Sequence, residues 1–412
     1  LSLSFSHAHT LSLSLSLTLT HIHVLTQIGG VHVSNFAFMH FAHYIGDMVE
    51  MVLNGSAVAP HTVPLLPVPP TSVESVDHSE KEIAESSGFT WIEASDLGLE
   101  GRGWVDTLPK YGRLPASAEA SVGVGTFNLS QCSTGVLTRF TTNATTIYVQ
   151  VVRRSLGGGL LSLTGGQDDI MAYNGRFGID MYAADDNNEG KWRWFETSAS
   201  SSQSENATTV LSVNPVAVGK SGRDYTIYFP THIAVDSLKI GVNSGHSLTP
   251  YRPHAGKSPV LIWASSIGQG GVVQNSGMAW INQVGRTLER EVYNFGFSGD
   301  CLMQPEVADY LVQLKPSVFV VDCLPNMNAA SVAARASDLF KQLRAGLGPT
   351  VPILVLEGHT YSNAWVLPSV QQGQEAKRAA QQQAFTEAAK TDEHIHYVTG
   401  LCTCCCFCSV FV

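Results

Sequence analysis

The sequence predicts two folded units of different class: a β-sandwich, then a three-layer α/β domain with a flavodoxin-like parallel sheet of five strands. Three observations carry this. Residues 88–250 are dense in β-branched and aromatic residues, with turn signals at short spacing and no helical run. Residues 258–400 alternate buried-type strands with helical spacing. Residues 243–258, rich in Gly, Pro, Ser and His without periodicity, read as the connection. A chain of 412 residues is long enough for both units.

In chain order, the first unit offers strands at 136–140, 146–152, 178–182, 191–196, 208–213, 225–229 and 238–242. The second opens on Val260, Leu261, Ile262, Trp263 and Ala264, an apolar run expected to be buried on both faces. Strand 260–267 leads to helix 278–290, strand 292–297, helix 305–314 and strand 317–324. Helix 329–345, strand 351–357, the Gln/Ala-rich helix 369–390 and strand 394–399 complete it. In such a sheet, ligands bind beyond the carboxyl ends of the strands.

Both ends depart from globular composition. Residues 1–87 read as low-complexity and disordered linker: a Leu/Ser repeat punctuated by His7, His9, His21, His23 and His32, a Pro-rich stretch at 57–70 and an acidic stretch at 72–87. Within them, 36–53 has the spacing of one amphipathic helix. Residues 401–412 hold five of the eight cysteines (Cys402, Cys404, Cys405, Cys406, Cys408) without a metal-ligand spacing, and read as non-native sequence. Cys132, Cys301 and Cys323 remain, too few for a disulfide framework. No metal or organic cofactor is expected. The net charge of −10 argues against nucleic acid as a partner, and no apolar run is long enough for a transmembrane helix. The sequons at Asn54, Asn128, Asn143 and Asn206 are compatible with secretion, but no convincing signal peptide accompanies them, and compartment and oligomeric state stay unassigned.

Two sets of motifs resemble one family. Ala264-Ser265-Ser266-Ile267-Gly268 resembles the nucleophile block of the SGNH (GDSL-type) esterases. Asn294-x-Gly296-x-x-Gly299 and Asp322-Cys-Leu-Pro-Asn326 resemble that family's second and third blocks and follow the next two strands on the same edge. In the first unit, Arg113-Leu-Pro115, Asn128-Leu-Ser130, Arg139 to Ala144, Gly178-Ile-Asp180-Met-Tyr182 and Lys191-Trp-Arg-Trp194 are similar, in order, to the GxDLY-type β-domain that precedes one group of these hydrolases. The resemblance implies acyl transfer, with Ser266 attacking an ester carbonyl and an oxyanion hole from the Ser266 and Gly299 N–H groups and the Asn326 amide. It implies a small-molecule or glycan ester substrate, O-acetyl groups on carbohydrate being the candidate class.

Two further readings stay open. Trp192, Trp194, Tyr173 and Tyr182 would form either a carbohydrate-stacking surface or part of the sandwich core. Asp180 would bind a cation or serve as a hydrogen-bond partner. The family draws its base from an Asp-x-x-His block after the fifth strand, and no histidine follows residue 400. His359 is the one histidine on the correct edge, as base or, more ordinarily, as a pocket residue beside Tyr361 and Trp365. The sequence therefore supports an esterase whose C-terminal block is truncated here, or a catalytically incomplete relative that binds carbohydrate or acyl ligands.

Overall fold

The computed structural model describes residues 35–55, 88–156, 171–186, 189–198, 206–212, 222–361 and 363–400. The opening repeat with its histidines, the 57–70 and 72–87 stretches and the cysteine tail lie outside the described residues.

The first unit is a sandwich of two antiparallel sheets. One runs β1 (Phe89–Glu93), β9 (Ala234–Asn243), β4 (Thr146–Arg154), β7 (Asn206–Ser212). The other runs β10 (Leu248–Pro250), β3 (Leu137–Thr142), β8 (Arg223–Tyr228), β5 (Ile179–Asp185), β6 (Lys191–Ser198), with the short β2 (Leu99–Glu100) also pairing with β3. β4 alternates buried and half-buried residues, so Ile147, Val149 and Val151 face inward. They meet Phe140, Met181 and Ile227 of the opposite sheet in one core. β10 lies inside the stretch expected as a plain connection: Leu248 pairs with Thr142 and extends the sheet edge.

The second unit is the expected parallel sheet, in the order β12 (Val292–Gly296), β11 (Val260–Ala264), β13 (Val318–Asp322), β14 (Ile353–Leu356), β15 (Ile395–Val398). Alternation sorts its side chains onto two faces. Leu261, Trp263, Phe319 and Val321 join the core beneath α5 (Pro305–Leu311), α6 (Ala329–Leu347) and α7 (Pro368–Ala388). Val260, Ile262, Val318 and Val320 join the core beneath α4 (Trp280–Thr287).

That second face corrects the linker reading for residues 35–53. Helix α1 (Asn35–Leu53) lies on it beside α4, with Ala42, Ile45, Met48, Val49 and Val52 buried against Val260, Val320 and Leu354. Their three-and-four spacing makes one apolar stripe, which a linker would leave in water. The units also share a core. Leu114, Ala118, Phe127 and Leu129, from the first unit's side of the sequence, pack with Trp263 and Phe295. Phe127 and Leu129 lie on helix α2 (Val124–Ser130).

Candidate functional site

β11 is fully buried and hydrogen-bonds in parallel to β12 and β13, with Ala264 opposite both Gly296 and Asp322. The loops after the three strands therefore leave the sheet at one level. Ser265 is buried, its N–H donates to the Asp322 carbonyl at 3.2 Å, and among the described residues its Oγ has no hydrogen-bond partner. Ser266 comes next and is only half-buried, at the first position of the four-residue helix α3 (Ser266–Gln269). Its N–H is one of the orphan donors that every helix start leaves.

The second loop packs against that turn. Asn294 is buried and donates through Nδ2 to the Gly268 carbonyl at 2.8 Å, while its Oδ1 accepts from the Gly296 N–H at 2.9 Å. A Cβ on Gly296 would lie 2.1 Å from the Gln269 nitrogen, so only glycine lets the two backbones approach this closely. The Asp300 N–H donates to the Phe297 carbonyl at 3.1 Å, closing a turn whose third residue, Gly299, has φ of +76°. Gly299 is exposed, and among the described residues no hydrogen bond occupies its N–H.

The third loop meets the second. Asn326 accepts at Oδ1 from the Cys301 N–H at 3.2 Å, which leaves its Nδ2 donors uncommitted among the described residues. Cys301 and Cys323 form a single disulfide, a bridge that the sequence reading did not anticipate. Their loops converge only in space, 22 residues apart in sequence.

The structure thus brings Ser266, Gly299 and Asn326 to one edge, linked through Gln269, Ser298 and Cys301. His359 reaches the same edge after β14 without joining them. Its Nε2 is enclosed and lacks a partner among the described residues. Burial, then the Lys377 and Arg378 charges, pull its pKa down to about 4, so the imidazolium that a general base must become is disfavoured. Tyr361 donates from its hydroxyl to the Pro325 carbonyl at 3.3 Å, and Trp365 is 85% exposed. Asp322, at the end of β13, is buried with Oδ1 unpartnered among the described residues; burial pushes its pKa up to about 8 against the opposing Lys377 charge.

Neither open reading of the β-domain aromatics describes where they lie. Asp180 accepts from the Gly277 N–H and from Trp194 Nε1, both at 2.9 Å, and the Arg286 guanidinium sits 4.1 Å from the Tyr182 ring centre. Gly277 and Arg286 belong to the α/β unit, so the Gly-x-Asp-Met-Tyr segment is an interdomain latch. Trp192 instead stacks on Arg139. Arg113, fully buried, donates to the Asn294 and Gly296 carbonyls at 3.0 and 2.7 Å. These belong to β12, whose outer edge pairs with no strand among the described residues, and the guanidinium satisfies those two carbonyls.

Sequence reasoning missed His232, fully buried on the β-domain side, with Nε2 3.1 Å from Ser298 Oγ. It lies outside every quoted motif, and no local signal marked it.

Residues 257–401 match the GDSL-like lipase/acylhydrolase family, and residues 89–248 match the GxDLY family, described as the N-terminus of SGNH-hydrolase-type esterases. No curated protein matches the chain. Among solved structures, a protein from Bacteroides ovatus described as GDSL-like lipase is 22% identical, with TM-score 0.67 over 76% of this chain and 87% of that one. The salicylyl-acyltransferase SsfX3 from a tetracycline biosynthetic pathway is 15% identical, with TM-score 0.59 over 77% and 86%. At these identities the likeness is one of fold.

Proposed function

Because the chain belongs to the SGNH/GDSL-type hydrolases that carry an N-terminal GxDLY-type β-domain, we propose that Ser266 is the nucleophile of its esterase chemistry. The Ser266 oxygen attacks the ester carbonyl carbon, and negative charge moves onto the carbonyl oxygen. The N–H groups of Ser266 and Gly299 and the Asn326 amide bind that charge, each donor contributing roughly 2.7–4 kcal/mol in the transition state. Collapse breaks the ester C–O bond, and the leaving alkoxide takes up through solvent the proton that the Ser266 hydroxyl lost; the acyl-serine left behind is hydrolysed by water to the carboxylic acid and free Ser266. The substrate class we propose is a carboxylic ester, with O-acetyl groups on carbohydrate as the first to try.

The observation that carries this reading is the convergence of a half-buried serine, a left-handed glycine with an uncommitted N–H and an oriented asparagine on one sheet edge. One observation favours the alternative, an acyl- or carbohydrate-binding relative: among the described residues no histidine hydrogen-bonds Ser266, and burial, then neighbouring arginine or lysine charges, holds both His232 and His359 neutral. Purified protein is expected to turn over p-nitrophenyl acetate and to be labelled by a fluorophosphonate at Ser266, with both lost in Ser266→Ala. Absence of turnover and of labelling in the unmodified chain would overturn the esterase reading for this chain.

A further inference from the structure

Among the described residues, no side chain packs against Gly299 to hold it. A Cβ built on it would meet no atom within 4 Å, and its positive φ is tolerated but not enforced. The direction of its N–H is therefore set by its neighbours in the chain, Ser298 and Asp300. Each has one partner on the β-domain side of the protein.

On the Asp300 side, Thr126 Oγ1 donates to Oδ2 at 2.5 Å, and Gln304 Nε2 donates to the Asp300 carbonyl at 2.8 Å. On the Ser298 side the partner is His232. Its proton arrangement follows from its neighbours. Thr231 Oγ1 lies 2.8 Å from the Gly175 carbonyl oxygen, and two oxygens that close need a proton between them, which only the threonine can supply. Thr231 Oγ1 also lies 2.8 Å from His232 Nδ1. With its one proton committed, it must accept, so Nδ1 carries the imidazole proton and Nε2 is the bare acceptor. Ser298 Oγ, 3.1 Å away, then donates to Nε2. The Ser298 backbone is fixed as well: its N–H donates to Gln269 Oε1 at 2.8 Å, and Gln269 Nε2 reaches the Thr231 carbonyl at 3.4 Å.

A serine donating to a neutral histidine has the look of a nucleophile and its base, but the electrostatics exclude that role. His232 is fully enclosed, and burial, then the Arg113 and Arg176 charges, lower its pKa to about 3. An imidazolium formed there by proton transfer would be strongly disfavoured. The ring is a fixed acceptor.

We propose that His232 is a positioning residue for the oxyanion hole, aiming the Gly299 N–H through its hydrogen bond from Ser298. The β-domain is then a component of the active site rather than an appendage to it. For its catalytic consequence this rests on the esterase reading.

The test uses the full chain with Ser298→Ala, His232→Ala and His232→Gln. Ser298 is half-buried and its truncation small, so Ser298→Ala serves even if His232→Ala does not fold. Amide hydrogen exchange of residues 297–302, read by mass spectrometry, is expected to quicken roughly tenfold in both alanine variants. For p-nitrophenyl acetate, kcat is expected to fall on the order of ten- to a hundredfold with KM within about twofold. His232→Gln, which keeps an acceptor, recovers part of both. Unchanged exchange at 297–302 in Ser298→Ala overturns the inference, whatever the turnover. So does quickened exchange with kcat unaltered. An unmodified protein without turnover or Ser266 labelling sinks the esterase reading alone, and the exchange readout still decides whether His232 holds the loop.

Discussion

Cys301 and Cys323 are joined by a disulfide, their Cα atoms 5.0 Å apart, that ties the loop carrying Gly299 to the loop carrying Asn326. These loops leave β12 and β13, which lie on either side of β11. The bridge therefore spans the two flanks of the Ser266 turn. Closing a loop over a sequence separation of 22 residues stabilises the fold by roughly 3 kcal/mol. Replacing both cysteines by serine is expected to lower the urea midpoint accordingly and to reduce kcat by about tenfold or more, because oxyanion donors lose effect steeply with misplacement. A double-serine variant with unaltered turnover would show that the donors stay in place without the bridge.

Asn326 is oriented by a single bond. The Cys301 N–H takes Oδ1, so the amide cannot flip without abandoning it. In Asn326→Ala, kcat should fall on the order of a hundred- to a thousandfold, the range for one missing oxyanion donor. Stability should drop by only about 1 kcal/mol for the unpartnered Cys301 N–H. Steady-state kinetics with a parallel denaturation curve separates the two effects; a kcat within twofold of the parent would remove Asn326 from the oxyanion hole.

Much of this architecture was legible because it is periodic. The run from Val260 to Ala264 could only be a doubly buried strand, and the later strands and helices followed the same logic. Loops that leave a parallel sheet on one edge follow from topology, and the resemblance to the SGNH blocks singled out Ser266, Gly299 and Asn326 within them. What escaped depends on distance rather than spacing. Nothing in the sequence near His232 announces Ser298, 66 residues later, or pairs Cys301 with Cys323. Asp180 was readable as a hydrogen-bond partner, yet its donor, Gly277, lies 97 residues on. The amphipathic spacing of α1 was visible, but its destination was not, because an apolar stripe does not name the surface it covers.

That helix supports a prediction about stability. α1 closes the sheet face lined by Val260, Val320 and Leu354, and Ile45 is fully buried in that contact. Removing its side chain to the β-carbon should cost about 2–5 kcal/mol by lost transfer energy and the cavity left behind. Ile45→Ala is therefore expected to unfold at clearly lower urea, with the Ser266 site intact in the remaining folded fraction. A loss below about 0.5 kcal/mol would mean that α1 does not rest on the sheet in solution.

Asp322 gives the chain a specific pH response. Its carboxyl is buried, with Oδ1 unpartnered among the described residues, and burial pushes its pKa up to about 8 from the ordinary 3.8. The folded state therefore holds this proton more tightly than the unfolded chain. Such a group contributes most to stability below about pH 4, where both states are protonated, and its contribution is lost as pH rises through about 8. Between those limits the slope for one group is at most about 1.4 kcal/mol per pH unit; Lys377, which opposes the shift, brings the upper limit down rather than changing the slope. Asp322→Asn keeps the shape and cannot ionise. Relative to the parent, it should gain stability steadily from pH 5 to pH 8, by on the order of 1 kcal/mol or more across the range. Equilibrium denaturation of both proteins at each pH checks this. A difference that stays flat, or that turns in the parent's favour as pH rises, would mean that Asp322 is already ionised in the fold and paired with Lys377.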